Sequence, residues 1–205
     1  MTLFGTDGIR GKYGDFPLDN ATIRKIGHAI SKSFDDDRIK KILIAHDGRE
    51  SCESIFRHLT EGILSHRDYE IVYLDLLPTP ALSCILDVKT GLDSIGIQIT
   101  ASHNPYTDNG IKIFDRLGSK ISSYQEKEIE RIVDSKFEIS DDIKLKFIHN
   151  NLYREKYISS LSELMSTVTK PSHKLNIAVD CANGAVSEVV SAINWPDNIS
   201  LTIFN

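Results

Sequence analysis

The sequence predicts an α/β protein, followed by the incomplete start of a second, similar α/β unit. Three observations lead there. Short β-branched runs alternate with amphipathic stretches of helical period, the signature of strands crossing over through helices. Several of those runs end abruptly in polar loops, as strands of an open sheet do at a ligand-facing edge. The stretch from Lys174 to Asn205 reads as one strand, one helix and one strand, too little to bury both faces of a two-stranded sheet.

The elements follow in order. A Gly-rich opening, "FGTDGIRGKYG", precedes Asp19 or Asn20 as a helix cap, and Ile23, Ile26, Ile30 and Phe34 follow at helical spacing. Asp35–Asp37 breaks the pattern as a solvated loop. "KILIAHD" is a buried strand. Ser51 to Ser65 is a helix with Ile55, Phe56, Leu59 and Ile63 inward, and "EIVYLD" the next strand. Thr79-Pro80 opens a helix expected to stop at Gly91, with proline early and glycine late. "SIGIQIT" alternates in period two, and Asp108-Asn109-Gly110 reads as a turn before a short strand, "IKIF". Ser123 and Glu126 suit a capping box. Ser135 to Asn150 is an irregular connection, Asn151 to Met165 a helix and Thr169 to His173 a linker. The last unit is "KLNIAVD", the turn "CANGA", a helix from Val186 to Ile193 and "ISLTIF". Residues 1–150 are therefore expected to form one domain, and residues 151–205 the beginning of another.

Composition narrows the function classes. The 205 residues carry a net charge of −5, with 40% hydrophobic and 26% charged residues. No basic excess marks a nucleic-acid binder, whereas a small anionic ligand needs only local cations. The three cysteines form no C-x-x-C pair, so neither a disulfide framework nor a cysteine metal site is expected, and a reducing cytoplasm fits. The opening lacks the pattern of a signal peptide, and no run has the length of a membrane span.

Three stretches hold the candidate chemistry. The glycines of "FGTDGIRGKYG", with Arg10 and Lys12, suit either a backbone cradle for phosphate or a flexible terminal arm. It is neither a Walker A loop nor a dinucleotide fingerprint, and its spacing alone leans to the arm. "AHDGRES" ends a strand, so Asp47 and Arg49 can reach a site. The plainer alternative is a helix cap by Asp47 or Ser51 with a surface ion pair. "TASHNPYTDNGIKIF" puts Ser102 directly after a strand. In an extended segment Ser102 and His103 would point to opposite sides, and no nucleophile elbow surrounds the serine, which disfavours a serine hydrolase. A serine that itself carries phosphate needs exposure and nearby donors, and Lys112 follows close behind. The alternative is a loop whose polar side chains merely satisfy local backbone groups.

Taken together, these residues resemble a known family. "TASHNPYTDNGIKIF" is similar to the phosphoserine loop of the α-D-phosphohexomutase superfamily, "FGTDGIRG" resembles the opening of its phosphoglucosamine mutase branch, and "VDCANGA" resembles the start of its second domain. The three occur in the family's order. The resemblance implies that the first domain is a mixed β-sheet sandwiched by helices, and that Ser102 is the phosphoserine and, through its phosphate, one ligand of Mg²⁺. It implies that His103 is its active-site neighbour, Lys112 the general acid/base, and Arg10 the arginine on the reacting phosphate. Asp47 and Arg49 match more loosely, Arg49 as a phosphate contact. The implied reaction interconverts glucosamine 6-phosphate and glucosamine 1-phosphate through a hexose bisphosphate, which also serves as activator.

The departures are equally specific. The family's D-G-D-x-D-R metal loop, its sugar-selecting loop and its last phosphate loop do not occur in these residues. A Mg²⁺ held by one phosphoserine oxygen and water would bind weakly, so the chain is expected to be a front portion of a mutase, inactive by itself. A phosphomannomutase or phosphoglucomutase is the alternative within the class. A non-catalytic phosphosugar-binding or interaction module is the alternative outside it. The expected partner is a hexosamine monophosphate, with no nucleic acid and no membrane. An exposed apolar sheet edge in the second unit would invite a homo-oligomer.

Overall fold

A computed structural model describes residues 2–86, 93–167 and 173–204. The β-branched runs "KILIAH" and "SIGIQI" form β3 (Lys41–His46) and β5 (Ser94–Ile99), which lie side by side and parallel. β4 (Glu70–Leu76) pairs parallel on the other flank of β3. The short β7 (Ile148–His149) extends that edge, so the connection expected to be irregular contributes a strand. On the far side β6 (Asp108–Phe114) runs antiparallel to β5. The opening residues then add β1 (Phe4–Gly5) and β2 (Gly8–Lys12), with β2 antiparallel to β6. The result is a seven-stranded mixed sheet in the order β1-β2-β6-β5-β3-β4-β7.

Side-chain alternation divides this sheet between two apolar layers. Ile42, Ile44, Ile95, Ile97, Ile99, Ile111 and Ile113 face α1 (Asn20–Ser33), α2 (Cys52–Leu64) and α4 (Ser123–Val133). Leu43, Ala45, Val72 and Leu74 face α3 (Thr79–Leu86) and α5 (Leu152–Thr167). Because helices cover both faces, all six residues of β5 are buried, where simple alternation suggested one wet face. α1 and α2 approach with backbones in contact: a Cβ on Gly62 would stand 2.0 Å from the Arg24 carbonyl oxygen. The second unit pairs β8 (Leu175–Asp180) parallel to β9 (Ile199–Phe204), joined through α6 (Ser187–Ala192).

Local signals hold with small shifts. Asp19 caps α1 by accepting from the Thr22 amide at 3.0 Å. The capping box of α4 is Ser122 with Gln125, one residue before the expected pair, because Ser122 has the extended backbone that both bonds require. The acidic loop is anchored: Arg67 pairs with Asp35 and Asp37, and Arg38 with Asp36. The expected stop of the third helix at Gly91 and most of the expected linker lie outside the described residues.

Two expectations are overturned. The Gly-rich opening is no flexible arm. Its residues are a hairpin at one edge of the main sheet, and Gly8, at φ +99°, packs so that a Cβ would meet the Ile111 carbonyl oxygen at 2.5 Å. Asp108-Asn109-Gly110 is no turn either. These residues are paired to Lys12, Gly11 and Arg10 inside β6, because β2 supplies the ladder that a local turn signal cannot anticipate.

Candidate functional site

The parallel strands β3, β4 and β5 share a carboxyl edge, and the chain leaving each one meets there. Asp47-Gly48-Arg49 follows β3, Pro78-Thr79 follows β4, and Thr100 to Thr107 follows β5. The turn after β8, Ala182 to Val186, faces them across a cleft of about 740 Å³. A second groove of about 760 Å³ lies between Phe16, Lys25 and Phe137 and contains none of the candidate residues.

Ser102 stands exposed in the first cleft with φ +59°, a left-handed conformation unusual for serine. The expected extended segment is therefore a tight turn, and Ser102 and His103 converge rather than diverge. Serine Oγ lies 3.4 Å from His103 Nδ1, long for an O–H···N bond. His103 has no other partner, so no third group orients it as a triad requires. The hydrolase arrangement is absent among the described residues.

Arg49 holds this turn from beneath. Its Nη1 donates to the carbonyls of Pro105 (2.6 Å) and Asp108 (2.9 Å), and its Nη2 to those of Ser102 (2.9 Å) and Asn104 (3.0 Å). Its Nε donates to Asp47 Oδ2 at 3.0 Å. These five bonds use the full donor set of a guanidinium. The half-buried pair with Asp47 replaces the surface ion pair expected from the local sequence. The expected cap is absent too: Ser51, at the N-terminus of α2, has a helical backbone and no side-chain bond to it. Asp47 Oδ2 also accepts from Thr100 Oγ1 at 2.7 Å, and Thr100 Oγ1 accepts from the Ser102 amide at 2.9 Å.

Arg10, on β2, reaches the same turn from the side. Its Nη1 donates to Asn104 Oδ1 at 3.2 Å and its Nη2 contacts Asp7 at 3.4 Å, while its buried Nε has no partner. Unlike Arg49, it keeps donors in reserve. Lys112 is half-buried on β6 without an ion-pair partner among the described residues. Ile111 and Ile113 face the α1–α2–α4 layer, so Lys112 faces the opposite layer. Lys112 is not among the residues lining the cleft. Cys52 lies under the site, 3.6 Å from Asp47, and burial pushes its thiol up to about 11, which leaves it protonated and unreactive.

For Mg²⁺ the donor set is incomplete. No group of three His, Cys, Asp or Glu converges among the described residues, and Asp47 is already occupied by Arg49 and Thr100. These residues do not form a Mg²⁺ site by themselves. No described helix is long and apolar enough to cross a membrane.

Sequence reasoning missed Thr100, Asn104 and the Ala182–Val186 turn. Thr100 and Asn104 sit inside the quoted motif, but their partners, Asp47 and Arg10, are remote in sequence.

A sheet covered on both faces, with a clamped serine turn at its carboxyl edge, defines an α/β/α domain built to present that serine. Comparison with known proteins gives the class a name. The family profile "Phosphoglucomutase/phosphomannomutase, alpha/beta/alpha domain I" matches residues 1–140. The chain belongs to that family. It is similar to the phosphoglucosamine mutase of Azotobacter vinelandii, 35% identical over 187 residues, and to that of Aliarcobacter butzleri, 37% identical over 196. These matches cover 91% and 92% of this chain but 41% and 43% of the relatives, so the chain spans about two fifths of their length. The crystal structure of a phosphoglucomutase/phosphomannomutase family protein from Burkholderia thailandensis shares the fold, with a TM-score of 0.74 at 24% identity over 99% of this chain and 43% of that one.

Proposed function

We propose that this chain is the phosphoserine-bearing part of a phosphoglucosamine mutase, with residues 1–150 as its first domain and residues 151–205 as the start of its second. The observation that carries the reading is the exposed Ser102, set at a sheet's carboxyl edge on a turn that Arg10 reaches through Asn104. The name of the similar proteins, phosphoglucosamine mutase, points to glucosamine phosphate as the substrate.

In the proposed step, a hydroxyl oxygen of the hexosamine monophosphate bonds to phosphorus as the P–Oγ bond of phosphoserine breaks. The hydroxyl proton passes by way of Lys112 to Ser102 Oγ as that oxygen leaves phosphorus. Arg10 neutralises the equatorial phosphoryl oxygens, the principal need of such a transition state. His103 hydrogen-bonds the same group. Mg²⁺, when bound, would supply further neutralisation, but the described residues do not complete a site for it. The 205-residue chain is expected to show no turnover alone.

The test is phosphoryl acceptance. Purified protein incubated with glucose 1,6-bisphosphate should gain one phosphate, located at Ser102 by peptide mass spectrometry and absent from Ser102→Ala. Phosphate found only at other residues would overturn the assignment. Conversion of glucosamine 6-phosphate by the isolated chain would overturn the claim that it is inactive alone.

A further inference from the structure

We infer that Arg49 is a positioning residue for Ser102 and not a contact for the substrate phosphate; this deepens the reading above and rests on it for its catalytic meaning. Four carbonyls within seven residues, Ser102 to Asp108, converge on one guanidinium, whose fifth donor is held by Asp47. No N–H of Arg49 is left for a ligand. Its side chain is only 12% exposed, so a phosphate could engage it only by breaking loop bonds.

The clamp has a directional consequence. The only cis peptide among the described residues is Phe16-Pro17, so the Ser102–His103 peptide is trans. In a trans peptide the carbonyl and the following N–H point in opposite directions. Drawing the Ser102 carbonyl in toward Arg49 therefore turns the His103 amide outward, on the side where the serine is exposed. The Pro105 carbonyl does the same for the Tyr106 amide. Neither amide has a hydrogen-bond partner among the described residues. Arg49 thus acts by orienting neutral backbone donors toward an anion at Ser102. Lysine would not substitute, since its three donors on one point charge cannot serve five acceptors in a plane.

Nuclear magnetic resonance of the full 205-residue chain tests this directly. Arg49 should show slowly rotating, exchange-protected guanidinium protons, unshifted by added inorganic phosphate. Averaged, unprotected protons or a phosphate-dependent shift would overturn the inference without any variant. In Arg49→Lys and Arg49→Gln, exchange of the Ser102, Asn104 and Asp108 amides should quicken at least tenfold while the distant α1 amides stay protected. If either variant folds with that loop unchanged, the clamp is refuted. Kinetics add a readout that a purely structural role would not move. With glucose 1,6-bisphosphate as donor, the maximal rate of Ser102 phosphorylation should fall on the order of 100-fold, with an unchanged half-saturating concentration. A raised half-saturation at an unchanged maximal rate would mark Arg49 as a binding residue instead. If wild type takes no phosphate, the mutase reading fails, and the resonance and exchange results still decide the clamp.

Discussion

Replacing Thr100 with valine removes one oxygen and keeps the shape. That oxygen joins two parts of the site: it donates to Asp47 Oδ2 at 2.7 Å and accepts from the Ser102 amide at 2.9 Å. Thr100 is 3% exposed, so water does not readily replace it. A hydrogen bond to a charged group contributes about 1.5–3 kcal/mol and a neutral one about 0.5–1.5 kcal/mol. Asp47 keeps its bond from Arg49, and the half-buried Ser102 amide regains some hydration, so a net loss of about 2–3 kcal/mol is expected. For a chain of this length that lowers the midpoint of thermal unfolding by roughly 4–12 °C. Circular dichroism melting of wild type, Thr100→Val, Asp47→Asn and the double variant would measure it. A coupling of about 1 kcal/mol or more should remain between the two sites. A Thr100→Val midpoint within about 1 °C of wild type would refute the claim that this hydroxyl ties the serine turn to the sheet.

Two further outcomes follow from the geometry. Gly110→Ala should cost about 3 kcal/mol or prevent soluble expression, because its Cβ would meet the carbonyl oxygens of Ile9 at 2.5 Å and Thr100 at 2.6 Å; an unchanged denaturant midpoint would contradict the close strand approach. Burial, then His66 and Lys32, push the His28 imidazole below its ordinary value. The unfolded chain therefore binds the proton more readily, and stability is present above about pH 6.5 and declines as pH falls below it. Melting at pH 7.5 and 5.5 should show a smaller acid loss in His28→Asn, and identical slopes in both proteins would exclude His28 as a source.

Much of the fold was legible because it is written locally. β3 and β4 each carry an apolar run, Ile42–Ala45 and Ile71–Leu74, β5 places Ile95, Ile97 and Ile99 at alternate positions, and the inward positions of α2 recur at helical spacing. The candidate serine was legible because it directly follows such a run. Other features were not, for reasons of range. Asp108-Asn109-Gly110 has the chemistry of a turn and is a strand, because β2, nearly a hundred residues earlier, supplies its partner. Asp47 has the chemistry of a cap and is a half-buried acceptor shared by Thr100 and Arg49.

By itself, the sequence determined the alternation of strands and helices, the capped starts of α1 and α4 and the place of Ser102 at a strand's end. These depend on backbone propensity and on neighbours a few residues away. The tertiary structure decided the rest: that the glycine-rich opening is a sheet edge, that Arg10 on β2 and Arg49 in the loop after β3 converge on one turn, and that Arg49 spends its full donor set there. A guanidinium binds whatever acceptors the fold brings within about 3 Å, and which acceptors those are depends on sheet order, which no local stretch of sequence contains.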